Sequence, residues 1–132
     1  MYLLDTDTCI YWRNGTHPNL RERIARTPSS DLGTTAITAG ELLFGVEHST
    51  KRPTNREGTE DFLASIEVVP FTVEAARHYA TIREDLTRRG ALIGSNDLLI
   101  AATALAENAT LVTNNVSEFS RVNGLRLENW AE

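Results

Sequence analysis

Apolar positions along the chain fall into short runs separated by longer stretches with helical spacing. Tyr2-Leu3-Leu4 is an apolar run too short for a helix and reads as a strand. Helices follow over residues 8–13 and about 19–26. A strand near 32–35 leads to a helix over 38–48 and another over roughly 55–65. The turn-rich segments TPSSDLG and STKRPTNREGTE break the pattern between them, the second read as a loop running into a helix start. Glu67-Val68-Val69 is a strand. Over 73–89, Ala76, Tyr79, Ala80, Ile82 and Leu86 recur at helical spacing, and Gly90 ends that helix. Residues 96–108 form an Ala/Leu-rich, largely buried helix. A strand over 110–113, a short helix over 116–121 and a strand over 125–127 complete the chain. Strands separated by helices imply parallel pairing with helices on both faces. The expected fold is therefore α/β, a central parallel sheet of four to five short strands, in a single domain over 1–132.

In such a sheet the ligand crevice lies beyond the carboxyl ends of the strands. Asp5 directly follows the first strand, and Asn114 and Asn115 follow the strand over 110–113, so these residues should reach that edge. Glu41 and Asp97 are expected in the first turns of two helices that can face the same crevice. Carboxylates brought together repel strongly at low dielectric, and the usual relief is a shared proton or a hard divalent cation. Mg²⁺, with oxygen ligands and retained waters, suits phosphodiester chemistry. Each acid also has a purely structural reading. Asp5 or Asp7 can N-cap the following helix. Thr38-x-x-Glu41 has the form of a capping box, and Ser95 of an N-cap with Asp97 in the first turn. Asn115 can cap the helix over 116–121 in the same way. Glu118, one turn beyond Asn115, could substitute for a missing acid through water, but reads more simply as a solvated surface acid.

Composition narrows the picture. The 132 residues are 41% hydrophobic, enough for one folded core. The formal net charge of -5 argues against adhesion to nucleic acid through bulk positive field, but clustered site acids make a nuclease acidic until cations bind. Cys9 is the only cysteine, so no intrachain disulfide or CxxC zinc site is available. His17, His48 and His78 lack metal-ligand spacing. No run approaches about 20 apolar residues, and the N-terminal segment lacks signal-peptide regions, so no membrane association and a cytoplasmic location are expected.

The segment LLDTDTCIY resembles the N-terminal signature of PIN-domain proteins. TTAITAGELLFGVEHS is similar to their second motif, with Thr38, Glu41 and Gly45 in register. IGSNDLLIAATALAENATLVTNN resembles the third and fourth motifs, and the tail EFSRVNGLRLENW is similar to the ends of VapC toxins. The resemblance runs from Met1 to about Trp130. It implies a PIN-like fold and Mg²⁺- or Mn²⁺-dependent endoribonuclease activity, with RNA, possible tRNA included, as substrate. It also implies a homodimer and a cognate VapB-type antitoxin. By motif match, Asp5, Glu41 and Asp97 carry over as metal-binding catalytic acids, with Thr6 positioning ligands through its hydroxyl. Two departures stand out: many members have Asn at the position of Asp7, and an acid at the position of Asn115.

Two other functions are open to the sequence. Leu4-Asp5-Thr6-Asp7 also fits the strand-then-DxD start of haloacid-dehalogenase-like phosphatases, which need in addition a phosphate-binding lysine. Lys51, the only lysine, sits in a polar segment. A catalytically inactive PIN-like binding module is the second. For an antitoxin, an apolar groove is expected on the helix over 38–48, from Leu42, Leu43, Phe44 and Val46, completed by Trp12.

Overall fold

The computed structural model describes residues 1–50 and 52–132, with side chains for all of these except 52–54. Five strands, β1 (Tyr2–Leu4), β2 (Leu32–Thr35), β3 (Glu67–Val69), β4 (Thr110–Val112) and β5 (Arg126–Glu128), form one sheet in the order β3-β2-β1-β4-β5. Every neighbouring pair is parallel. Among the described residues the connections hold α1 (Thr6–Asn14), α2 (Pro18–Arg26), α3 (Ala36–Glu47), α4 (Arg52–Ser65), α5 (Val73–Arg88), α6 (Ser95–Ala106) and α7 (Val116–Phe119). The expected α/β architecture is present with all five strands. None of these helices is long and apolar enough to cross a membrane.

The two-residue period of β1 sets the layers. Leu3 and Leu4 point to opposite faces of the sheet, and both are fully buried. Leu3 packs with Ile82 and Leu86 of α5, Ile100 of α6 and Phe119 of α7. Leu4 packs with Cys9 of α1, Leu20 and Ile24 of α2 and Leu42 of α3. Leu111 and Val112 of β4 divide between the two cores in the same way. Strands covered on both faces have no solvated side to mark with polar residues, so β1 and β4 read as unbroken apolar runs. The chain steps outward from β1 to β2 and β3, then returns to place β4 on the other side of β1. Strand order therefore reverses at β1, and the crevice opens beyond the ends of β1 and β4.

Several helix starts differ from those expected, for local capping reasons. Asp5 is extended (φ -76, ψ 178) and accepts the Thr8 N–H on its side chain, so α1 begins at Thr6 and not at residue 8. Thr35 caps α3 by accepting the Thr38 N–H at 3.0 Å. Thr38 is thus inside the helix, the Thr38-x-x-Glu41 capping box does not form, and Glu41 lies in the second turn. Ser95 is the first residue of α6 and not its cap; Gly94 holds the cap position with no side-chain bond. α4 begins at Arg52, three residues before the expected start, and α7 stops at Phe119. Gly90 has φ 63, a left-handed conformation that suits glycine where α5 stops. Lys51 lies outside the described residues.

The apolar stripe of α3 does not form one groove with Trp12. Leu42 and Val46 are core residues, 7% and 3% exposed, whereas Phe44 is 68% exposed. Trp12 packs edge-on against Phe62 with ring centroids 5.5 Å apart.

Candidate active site

Asp5 stands where β1 ends, 5% exposed. Its Oδ1 accepts the Thr8 N–H at 3.0 Å, and its Oδ2 accepts the Thr113 hydroxyl at 2.6 Å. The strand register explains the second bond: Leu4 pairs with Val112, so the next residues of β1 and β4 emerge side by side. Burial pushes the Asp5 carboxyl above its ordinary value, against the lowering effect of these hydrogen bonds. The capping reading and the site reading of Asp5 are thus compatible. Capping occupies one lone pair of one oxygen, and a carboxylate has about four such acceptor sites.

Glu41 approaches from α3. The Thr6 hydroxyl donates to its Oε1 at 2.5 Å, and Asn96 Nδ2 donates to its Oε2 at 3.3 Å. Hydroxyl and amide, from the first turns of α1 and α6, therefore bridge the carboxylate from both sides. The Thr6 hydroxyl also lies 3.3 Å from that of Thr38, which connects this bridge to the α3 cap.

Asp97 sits in the first turn of α6 and is half-buried. Its pKa is pushed up to about 6, first by burial and then by Glu118, Glu41, Asp5 and Asp7. Glu118 on α7 was expected to be a solvated surface acid, and the structure corrects this. Its Oε1 accepts the Gly94 N–H at 2.9 Å and its Oε2 accepts Asn115 Nδ2 at 2.7 Å. A Cβ at Gly94 would stand 3.6 Å from Asp97 Oδ2 and 3.8 Å from Glu118 Oε1, so both carboxylates face the same point. The Gly94 and Asn115 donors hold the Glu118 carboxyl below its ordinary value, the opposite of Asp97. Asn115 occupies the cap position of α7, yet its side chain makes no capping bond and is spent on Glu118.

These groups meet in a cavity of about 150 Å³ lined by Asp5, Thr6, Asp7, Glu41, Asp97, Asn115 and Phe119. Its lining has no basic side chain, so the negative charge is unrelieved within the chain, as the raised Asp97 carboxyl registers. Among the described residues no three His, Cys, Asp or Glu side chains are arranged to hold a metal ion by themselves, so Asp5, Glu41 and Asp97 are not placed as one ready-made ligand set. The cavity is several times the roughly 30 Å³ that one water occupies in the liquid. The donor set is all oxygen, the chemistry a hard divalent cation requires, so the residues present fit such an ion.

Sequence reasoning named Asp5, Thr6, Glu41, Asp97 and Asn115, and the fold gathers all of them. Asp7 joins the lining as an exposed acid, whereas Asn114 turns away and accepts Asn129 Nδ2 at 3.1 Å. Glu118, whose spacing one turn after Asn115 made it a candidate stand-in acid ranked below a surface reading, joins the site through the Gly94 N–H and Asn115. The histidines lie elsewhere: His17 stacks on Tyr11 at 4.0 Å, His48 on Phe44 at 5.9 Å, and His78 lies 3.6 Å from Glu74.

The sequence matches the PIN domain family over residues 2–125. It is similar to the ribonuclease VapC2 of Rickettsia felis, with 41% identity over 98% of both chains. It is also similar to the tRNA(fMet)-specific endonuclease VapC of Salmonella typhimurium, with 36% identity over 98% of this chain and 97% of that one. In three dimensions it resembles the crystal structure of VapBC2 from Rickettsia felis bound to a promoter DNA fragment, with a TM-score of 0.90, 37% identity and 98% of each chain covered. The family match spans nearly the whole chain, and it covers every acid gathered at the β1–β4 crevice. This chain belongs to the PIN-domain family, in its VapC group.

Proposed function

We propose that the chain is a divalent-metal-dependent endoribonuclease, the toxin of a toxin–antitoxin pair, which hydrolyses RNA phosphodiester bonds in the cytoplasm. The observation that carries this reading is the cavity where Asp5, Glu41 and Asp97 meet without a compensating cation. The names of the relatives support ribonuclease chemistry, and one of them points to tRNA as the substrate class to test first. Asp5 and Asp97 would hold Mg²⁺ or Mn²⁺, with Glu41 contributing directly or through water. Such an ion, when bound, supplies Lewis acidity at the phosphate and a water of lowered pKa. The chain's own groups do the positioning. Thr113 and the Thr8 N–H fix Asp5, and Thr6 and Asn96 aim the Glu41 carboxylate. Glu41 is then placed to orient the attacking water or accept its proton. Asn115 and the Gly94 N–H keep Glu118 turned toward Asp97.

The solved relatives include VapBC complexes, which supports a VapB-type antitoxin as partner; a homodimer is the working form we propose for the toxin. The PIN-family match over residues 2–125 disfavours the phosphatase reading, in which Asp5 would serve as nucleophile. The test is cleavage of bulk tRNA by the purified chain with Mn²⁺ and with EDTA, alongside Asp97→Asn. Metal-dependent cleavage that the variant lacks supports the proposal. Specific Mn²⁺ binding without cleavage of any RNA, or no metal binding at all, overturns it in favour of a binding module.

A further inference from the structure

Arg13 projects from the last turn of α1 into a groove of about 260 Å³ between α1, α3 and α4. Ile10, Asn14, Leu42 and Thr59 form its walls, and Glu41 lines both this groove and the acid cavity, so the two adjoin at that residue. The guanidinium is held in place although it is exposed. Nη1 donates to Oγ1 of Thr59 at 3.0 Å, from a threonine only 2% exposed. The guanidinium carbon lies 5.5 Å from the Phe62 ring centroid. A Cβ at Gly58 would stand 3.3 Å from Nη2, so the glycine leaves the room the group occupies.

Position, more than charge, sets Arg13 apart from the other arginines. Arg23, Arg56, Arg77, Arg88 and Arg89 are each paired with a carboxylate. Among the described residues Arg13, Arg21, Arg26, Arg83, Arg121 and Arg126 form no salt bridge with a carboxylate, and of these only Arg13 lines the groove that includes Glu41. Of its five donors, one is committed to Thr59. An immobilised guanidinium with a free fork has paid its ordering entropy before a ligand arrives and matches phosphate oxygens in pairs. A polyanion entering a cavity lined by acids also needs a fixed cation nearby, because the acids repel every phosphate except one bridged by metal.

We propose that Arg13 binds a backbone phosphate of the RNA, at a nucleotide flanking the scissile bond, so that the strand runs along the α1–α4 groove into the acid cavity. The proposal rests on the ribonuclease reading above. Arg13 touches substrate away from the reacting atoms, so it governs KM and not kcat.

The experiment measures Mn²⁺-dependent cleavage of bulk tRNA and of a single-stranded RNA oligonucleotide over a range of NaCl, for the full chain, Arg13→Gln, Arg13→Lys and Gly58→Ala. Arg13→Gln should raise KM about tenfold, the scale of one charge-assisted contact, with kcat within about twofold. Its plot of log(kcat/KM) against log[NaCl] on the oligonucleotide should be shallower by about 0.7, the loss of one phosphate contact. Arg13→Lys should keep the slope and recover part of KM. Gly58→Ala should raise Tm, since alanine favours the helix, and yet raise KM by displacing the guanidinium. Wild-type cleavage together with an unchanged KM and slope in Arg13→Gln overturns this proposal alone. So does intact RNA cleavage with weakened antitoxin binding, which assigns the groove to the protein partner. A wild-type chain that cleaves no RNA overturns the ribonuclease reading and this proposal with it.

Discussion

The hydroxyl of Thr113 donates to Oδ2 of Asp5 across 2.6 Å, although 108 positions separate them in the chain. The bond exists because β1 and β4 are parallel neighbours in register, and each releases its next residue into the crevice at the same level. Thr113 also accepts the Asn115 N–H at 2.9 Å, so one buried hydroxyl fixes both the first acid and the turn into α7. Thr113→Val, nearly isosteric, should leave Asp5 Oδ2 without its donor in a desolvated place. The expected cost is about 1–3 kcal/mol of stability, together with a loss of cleavage. Thr113→Ser should retain both. Equal denaturation midpoints and rates for Val and Ser would show that the bond contributes nothing.

Asp97→Asn should abolish cleavage and growth inhibition while strengthening the metal-free fold. Even outer-shell changes at metal sites cost roughly 10–100-fold, so loss of a ligand should cost at least about a hundredfold in rate. The stability sign follows from the raised carboxyl, 3.8 ordinarily and about 6 in the fold. Between those values the native state keeps a proton that the unfolded chain has released. Stability from this group is therefore full below about pH 4 and is lost as pH rises through 6. Asp97 is half solvated, so screening reduces the effect to the order of 1 kcal/mol, a few degrees in Tm. In EDTA the wild type should lose Tm between pH 5 and 7.5, whereas the Asn variant should lose less. Added Mg²⁺ should restore the wild type at pH 7.5. A wild type and variant with parallel Tm curves in EDTA would refute the electrostatic account.

Much of this site is legible in the residues because each acid is marked locally: Asp5 by the apolar strand it ends, Asp97 by the apolar helix it opens. The capping assignments failed for a specific reason. Thr35 and Thr38 are both competent N-caps, and it is the pairing of β2 with both neighbours, Thr34 with Leu4 and Thr35 with Val69, that carries the strand to Thr35 and starts the helix at residue 36. Glu118 failed differently. Its Asn115 partner is local, but the Gly94 N–H, 24 residues away, and the Asp97 carboxyl are not, and no local pattern announces a tertiary bond across two loops. Trp12 and Phe44 have the same apolar character in the sequence, but their different fates depend on which helix covers each one.

Phe44 and Trp12 should behave differently on substitution. Phe44 is exposed and shares a cavity mouth with Ile37 and Leu99, whereas Trp12 is packed on Phe62. Phe44→Asp should leave Tm within about a degree, as surface changes do, and weaken antitoxin binding at least tenfold if the antitoxin covers α3. Trp12→Ala should instead lower stability by about 2–4 kcal/mol through lost packing. Calorimetric titration with the antitoxin, beside thermal melts of both variants, separates the effects. Unchanged affinity in Phe44→Asp would show that the antitoxin binds elsewhere.

Asn115 puts a neutral amide in the lining of the acid cavity, where the motif resemblance leads one to expect an acid. Its Nδ2 donates to Glu118 Oε2 at 2.7 Å, so at present it quiets one carboxylate and adds no charge of its own. With Asp5, Glu41 and Asp97 shared between two cations, a second cation would be under-neutralised. It should bind weakly until an RNA phosphate supplies the missing oxygen. Asn115→Asp changes both terms. It removes the donor to Glu118, which should raise the Glu118 carboxyl from its lowered state by like-charge repulsion. It also adds a sixth acid beside Asp5, Asp7, Glu41, Asp97 and Glu118, which should tighten the second site once metal is present. The metal-free variant should therefore be less stable than wild type at pH 7.5, and the difference should vanish at millimolar Mn²⁺. Cleavage should reach half its maximum at a Mn²⁺ concentration several-fold lower, with the maximal rate little changed. The competing expectation is that Asn115 serves only the local turn through its backbone, which accepts from Phe119 N at 3.2 Å. Aspartate preserves that backbone bond, so the turn-only role predicts superimposable curves. Cleavage rate against Mn²⁺ concentration for the two proteins, read beside their Tm values in EDTA, decides between them.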